Sequence, residues 1–138
     1  VEILAPFARA DADLLRQNAA SILQMNLGRV GGILEAKKIA SMGEAFHAQI
    51  APHLFCGPLV GAANIQVSAC SPNFLIMEGI EQWGGFQAEI LKTPIRWEDG
   101  YVIPPTAPGL GVELDEAVAE ANPYTGERLQ LRMKDTPA

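Results

Sequence analysis

The stretch SILQMNLGRVGGILEAKKIASMGEAFHAQIAPHLFCGP, residues 21–58, predicts a strand, a helix and a second strand in succession. Ser21–Met25 and Ala48–Ala51 are short apolar segments followed by Gly or Pro, which is typical of buried strands. Between them, Ile33–Phe46 carries an apolar stripe at helical spacing, with charged residues on its other side. Because strands that alternate with helices indicate a parallel sheet, we assign the chain to the α/β class.

A third unit of the same kind follows. The predicted helix Pro58–Ala69 is apolar nearly all round, so we expect it to pack on more than one side. Phe74–Met77 is wholly apolar, as expected for a strand buried on both faces of a parallel sheet. Each predicted strand ends in a polar residue, namely Asn26, His53 and Glu78. Their spacing is close to the roughly 30 residues per unit of a βα barrel.

The other elements are predicted from capping and turn residues. They are an amphipathic helix between Pro6 and Asn18, a short helix Phe86–Leu91, a β-hairpin around Glu98-Asp99-Gly100, a helix Glu116–Ala121 capped by Asp115, and a strand Leu129–Met133. We assign residues 1–84 to barrel units and residues 85–138 to a covering tail. Three βα units cannot close a barrel, which takes about eight strands. We therefore expect a piece of a longer protein, whose other strands lie upstream or come from another chain.

Composition excludes several classes of function. The net charge of −6 and the pI near 4.8 argue against a nucleic-acid surface, which needs clustered Lys and Arg. No apolar run approaches the roughly 20 residues that cross a bilayer, and the first residues lack the pattern of a signal peptide. We expect a cytoplasmic protein without a membrane partner. The two cysteines, Cys56 and Cys70, lack the spacing of a metal site and are expected to be buried free thiols.

Three residues are candidates for catalysis because the carboxyl ends of parallel strands meet at one edge of a sheet. His53 could act as a general acid or base. A partly desolvated Glu78 could stay protonated and donate a hydrogen bond to an oxyanion. Asn26 cannot take up a proton but could orient the imidazole. Each also has an ordinary explanation: a packed histidine, a solvated loop carboxylate and a turn-forming asparagine.

Two other features favour a structural role. His47 lies where a predicted helix meets a strand, on the opposite rim. The glycine-rich segment Gly28–Gly32 precedes a helix, as a phosphate-binding loop does. It lacks both the GxGxxG pattern and the GKS or GKT ending, so it predicts a tight strand-to-helix turn.

Four motifs resemble the mandelate racemase-like subgroup of the enolase superfamily, and within it the sugar-acid dehydratases of galactonate dehydratase type. LQMNLGRVGGILEAKKIA is similar to the sixth barrel strand and its helix, and IAPHLFCGP to the seventh strand with its histidine. FLIMEG resembles the eighth strand with its glutamate, and WEDGYVIPPTAPGLGVEL the tail that folds onto the N-terminal domain. The resemblance covers roughly Ile22–Leu114.

The resemblance implies the C-terminal portion of a modified (β/α)7β barrel, with a tail that packs on an N-terminal α+β capping domain. It implies Mg2+ held by carboxylates upstream of this chain, with no metal ligand within it. By position, His53 matches the family's acid/base histidine and Glu78 its strand-eight carboxyl group. Asn26 falls where the family has an aspartate. We assign all three to catalysis, and His53, Glu78 and Trp83 to substrate binding.

Three functions follow from the resemblance. The first is dehydration of a polyhydroxy acid by removal of the proton α to the carboxylate and loss of the 3-hydroxyl, with His53 as the acid. The second is racemisation or epimerisation on the same scaffold. The third is a non-catalytic barrel relative that binds a ligand or acts structurally, which Asn26 makes credible. The expected partners are an acid-sugar substrate, the remainder of the same protein and further copies in a homo-oligomer.

Overall fold

Parallel strands form the sheet that carries the candidate residues. The computed structural model describes residues 2–3 and 8–125. Within these residues β1 (Glu2–Ile3), β2 (Ile22–Leu23) and β3 (Gln49–Ile50) lie side by side in that order, all parallel. Ile22 is paired with Gln49, and Leu23 with Ile50. The α/β class is therefore confirmed.

Helices follow the strands and cover the sheet. They are α1 (Ala8–Arg16), the single turn α2 (Leu27–Val30), α3 (Ile33–Ala45) and α4 (Pro58–Ala69). The helix α4 has the predicted bounds, and most of its residues are buried, as its apolar composition predicts. The predicted apolar stripe of α3 is buried in its middle, through Ala36, Ile39 and Ala40, whereas Ile33 and Phe46 at its two ends are exposed. Together with Leu23 and Ile50 of the sheet, the buried residues of the stripe form one hydrophobic core.

The segment Phe74–Met77 does not form the buried strand predicted for it. It makes one parallel bridge, between Ile50 and Phe74, and Leu75 N donates to Ile50 O at 3.0 Å. Leu75 is 44% exposed and Ile76 is 64% exposed. In the described part of the chain no further strand pairs with its outer edge, so these side chains lack a covering layer. The prediction of burial on both faces is therefore wrong for this chain.

The C-terminal elements follow local sequence signals. The hairpin of β4 (Trp97–Glu98) and β5 (Tyr101–Val102) turns at Asp99 and Gly100, whose φ angles of 49° and 80° are those of a tight hairpin turn. In α5 (Glu116–Ala121), Asp115 Oδ1 accepts from Val118 N at 3.2 Å, which is the predicted cap.

Some predictions for this region are wrong, and others concern residues outside the described part of the chain. A 3-10 turn, Gly85–Ala88, replaces the predicted helix Phe86–Leu91, because Leu91 instead bridges to Leu114. The strand Leu129–Met133 falls outside the described residues, and the boundary after residue 84 stays a prediction.

The cysteines are free but not buried: Cys56 lies in a loop and is half-buried, and Cys70 is exposed at the end of α4. None of the described helices has the length and apolarity to cross a membrane.

Candidate active site

His53 lies where the β3 strand continues past its last paired residue. Its backbone N donates to Met25 O at 2.9 Å, which extends the pairing with the neighbouring strand to the sheet edge. Its carbonyl accepts from Asn64 Nδ2 of α4 at 3.2 Å. Asn64 is fully buried, and the His53 side chain is 20% exposed. The backbone of His53 is thus fixed on two sides while its ring reaches solvent.

Asn26 contacts the first ring nitrogen of His53. Its Nδ2 lies 2.8 Å from His53 Nδ1, and the side chain is almost completely buried. Asn26 also precedes α2, where its backbone carbonyl accepts from Arg29 N and Val30 N, each at 2.9 Å. Because its side chain makes no capping bond, the amide is available to the imidazole.

Glu78 faces the second ring nitrogen. Its Oε2 lies 3.7 Å from His53 Nε2 and accepts from Leu54 N at 3.0 Å. The backbone N of Glu78 donates to Pro52 O at 3.2 Å, so Glu78 continues the alignment that began at Phe74. The side chain is 45% exposed, which is more open to water than the partial desolvation expected from the sequence. The three predicted residues are therefore brought together, with His53 in the middle.

Cys56 belongs to the same cluster and was not predicted. Its Sγ lies 3.6 Å from both Nδ2 and Oδ1 of Asn26. Cys56 follows His53 by three positions in the loop before α4, and that proximity is the one signal in the sequence that could have indicated it. The contact depends on how the loop turns back toward Asn26, which the apolar character of the segment does not reveal.

Trp83 lies in a different cleft. It lines a cavity of about 330 Å³ together with Pro58, Gln87 and Trp97, and none of the three clustered candidates lines this cavity. Its assignment to substrate binding stays a prediction.

The described residues do not form a metal centre. No group of three or more His, Cys, Asp or Glu side chains among them could hold a metal ion. The cluster offers one carboxylate, whereas Mg2+ takes an octahedral set of oxygen ligands. What the cluster can do chemically is move a proton at His53 Nε2 and form hydrogen bonds through Glu78.

Comparison with known proteins indicates the family. Residues 8–118 match the family model described as enolase C-terminal domain-like. The D-galactonate dehydratase of Ralstonia pickettii (strain 12J) is 41% identical over 121 residues, which are 81% of this chain and 31% of that protein. The D-galactonate dehydratase of Ralstonia nicotianae is 40% identical over 113 residues, 76% of this chain and 29% of that protein.

Solved structures of mandelate racemase/muconate lactonizing enzymes also match this chain. The mandelate racemase/muconate lactonizing enzyme from Sulfitobacter sp. has 55% identity and a TM-score of 0.76, with 91% of this chain and 31% of that chain covered. The corresponding enzyme from Jannaschia sp. CCS1 has 43% identity and a TM-score of 0.80, with 95% and 33% covered. The chain spans about a third of the length of the relatives it matches.

Proposed function

Because this chain belongs to the enolase C-terminal domain-like family, we propose that it is the C-terminal part of a sugar-acid dehydratase. In this proposal it forms the last units of a modified (β/α)7β barrel and the tail that packs on a capping domain. The observation that carries the proposal is the placement of His53 between Asn26 and Glu78 at the sheet edge. The identity of 41% to a D-galactonate dehydratase supports the class of reaction.

The proposed reaction removes water from a polyhydroxy acid. A base outside this chain takes the proton α to the carboxylate, and the electron pair of that C–H bond forms an enolate. The enolate then expels the 3-hydroxyl, whose C–O bond breaks as His53 Nε2–H delivers a proton, so that water leaves. The resulting enol takes the keto form. Protonation of a poor leaving group by a positioned acid is worth about 10² to 10⁴ in rate.

Glu78 is proposed to bind the developing oxyanion. Its Oε2 already accepts from Leu54 N, so a proton on this side chain would reside on Oε1. A protonated carboxyl group can donate a hydrogen bond to negative charge as it forms. The half-exposed position of Glu78 leaves Oε1 open to a substrate.

Mg2+ is proposed as the cofactor on the basis of family membership. Its ligands would lie in parts of the protein outside this chain, because the described residues do not supply them. None of the roles assigned to Asn26, His53 and Glu78 requires a bond to the metal. The cytoplasmic location and the homo-oligomer remain predictions.

The test is a screen of the full-length protein with Mg2+ against aldonic and aldaric acids. Dehydration is expected to give a product lighter than its substrate by one water, and His53→Asn should abolish most of that product. A product of unchanged mass and inverted configuration would instead establish the racemase or epimerase alternative. Binding without conversion across the panel would favour the non-catalytic alternative.

A further inference from the structure

A chain of three side chains runs from the ring of His53 through Asn26 to Cys56. Asn26 Nδ2 lies 2.8 Å from His53 Nδ1, and Cys56 Sγ lies 3.6 Å from each end of the same amide. Asn26 is only 2% exposed. Because buried polar groups are paired, these two neighbours rather than bulk water must satisfy its amide.

The amide can present either end to the ring. Its nitrogen only donates and its oxygen only accepts, yet the two ends have nearly the same size. With Nδ2 toward the ring, His53 Nδ1 accepts and the neutral ring carries its proton on Nε2. With Oδ1 toward the ring, Nδ1–H donates, as the imidazolium requires. A carboxylate at position 26 would accept only, and would therefore permit only the second arrangement.

Cys56 can form a hydrogen bond with the amide in both orientations. A thiol is a weak donor and a weak acceptor, and Sγ is equally distant from the two amide ends. A half-turn of the amide therefore exchanges one weak hydrogen bond for another and leaves no buried group unpaired. Gly28 leaves room beside it: a β-carbon at Gly28 would lie 3.2 Å from Asn26 Oδ1 and 3.3 Å from Cys56 Sγ.

Glu78 acts on the opposite side of the ring. Its Oε2 lies 3.7 Å from His53 Nε2, and it is the acidic side chain that faces the ring among the described residues. Oε2 can accept a hydrogen bond whether Glu78 is ionised or protonated on Oε1, so it favours the tautomer with a proton on Nε2. The neutral ring is thus held by a donor at Nδ1 and an acceptor near Nε2, and both favour Nε2–H.

We propose that Asn26 is a reversible positioning residue for His53. Its amide donates to Nδ1 of the neutral ring and, after a half-turn about its Cβ–Cγ bond, accepts from Nδ1–H of the imidazolium, while Cys56 partners it in both orientations. The half-turn controls when Nε2–H can act as an acid. Loss of this proton from the imidazolium leaves a neutral ring, whereas its loss from the neutral ring would leave an imidazolate anion. The inference rests on the proposed function only in requiring that His53 change its protonation during turnover.

The test is 15N NMR of the full-length protein labelled in its imidazole rings, recorded without substrate, with the His53→Asn spectrum used to assign the signals. In the neutral ring of the wild type, we expect a roughly tenfold excess of the Nε2–H over the Nδ1–H tautomer, the ratio that about 1.4 kcal/mol produces. Asn26→Asp should reverse this preference. A wild-type ring that carries its proton on Nδ1, as in Asn26→Asp, would overturn the proposal.

Two variants of Cys56 test the role of the thiol. Cys56→Ser retains a group that donates and accepts, so the wild-type tautomer should persist. Cys56→Asp introduces a group that only accepts, so it should attract Nδ2 of Asn26, turn the amide over and produce the Nδ1–H tautomer. An unchanged tautomer in a folded Cys56→Asp protein would exclude Cys56 from the exchange. If the screen of acids finds no turnover while the tautomers behave as expected, the proposed function fails, and the part of this inference that pairs the orientation of Asn26 with the protonation of the ring stands.

Discussion

The backbone N–H of Leu54 donates to Glu78 Oε2 at 3.0 Å, so the residue that follows the histidine holds the carboxylate that faces the ring. The acid/base group and its acidic neighbour are therefore fixed to the same short segment. A change at Glu78 can alter chemistry and local structure separately, because Oε2 accepts from the backbone while no described residue bonds to Oε1.

Glu78→Gln separates these two roles. The glutamine oxygen can still accept from Leu54 N, while the side chain can no longer ionise. Because the glutamine N–H can still donate to an oxyanion but is a weaker acid than a carboxyl O–H, we expect turnover to fall by at most about 10² to 10³, the worth of losing an oxyanion donor altogether, with little change in the melting temperature. Kinetics and thermal unfolding of the same preparations measure both quantities. A large fall in melting temperature would identify Glu78 as a structural group instead.

His53→Asn should reduce turnover by about 10² to 10⁴, the contribution of a positioned acid or base. The matched control is His47→Asn, because His47 is exposed and has φ of 58°, a backbone conformation that asparagine tolerates. The control should retain wild-type turnover. Equal turnover in the wild type and His53→Asn, on a substrate that the wild type converts, would remove His53 from the mechanism.

Asn26→Asp should shift the pH dependence of turnover. The introduced carboxylate would lie next to His53 Nδ1 and stabilise the imidazolium, because an opposite charge favours the charged form. The acid-dependent limb of the rate profile should therefore move to higher pH. The measurement is kcat against pH for both proteins, with Asn26→Ala as the control that removes the amide without adding charge. A limb that stays in place would show that the titrating group is not His53.

Asp11 in α1 predicts a pH-dependent stability. It is 1% exposed, its Oδ2 has no hydrogen-bond partner among the described residues, and burial raises its pKa to about 6 from 3.8. The folded state thus favours the protonated form. The free energy of unfolding should fall by about 3 kcal/mol as pH rises from about 4 to above 6, since each pKa unit corresponds to about 1.4 kcal/mol.

Asp11→Asn should remove most of this dependence, which denaturant unfolding of the full-length protein at several pH values can measure. The control is Asp13→Asn, because Asp13 is exposed on the same helix, where it pairs with Arg16 at 3.1 Å. Asp13→Asn should leave the slope unchanged. If Asp11→Asn and the wild type show the same slope, the buried carboxyl group is not the one that titrates.

The exposed edge at Phe74–Met77 predicts the behaviour of the 138 residues expressed alone. Unpaired backbone groups and apolar side chains along an edge promote pairing with other chains. We expect self-association that increases with protein concentration, measurable by sedimentation. A cooperatively folding monomer would contradict the proposal that this edge pairs with other parts of a barrel.

Local signals predicted α4 and α5 well, but predicted the helix Phe86–Leu91 and the buried strand Phe74–Met77 poorly. Pro58 in the first turn of α4 and the Asp115 cap of α5 act within one helical turn, so the bounds of both helices follow from nearby residues. Phe74–Met77 has the composition of a buried strand, but burial depends on a neighbouring strand that the segment itself does not encode.

The candidate site likewise contains residues that the sequence could place together and contacts that it could not predict. Asn26, His53 and Glu78 could be placed together because the ends of parallel strands converge at one edge. The contact of Cys56 depends on the path of a loop, and the burial of Asp11 on the packing of α1 within the fold. Neither follows from the periodicity of the residues around it.

The hydrogen bond from Asn64 Nδ2 to the carbonyl of His53 couples the position of helix α4 to that of the histidine. Because this amide is fully buried, water cannot replace the bond. A shift of the helix along its axis would therefore either leave the amide unpaired or move the histidine. Hence the position of His53 depends on the packing of α4, and a substitution that shifts this helix would alter the site without contacting it.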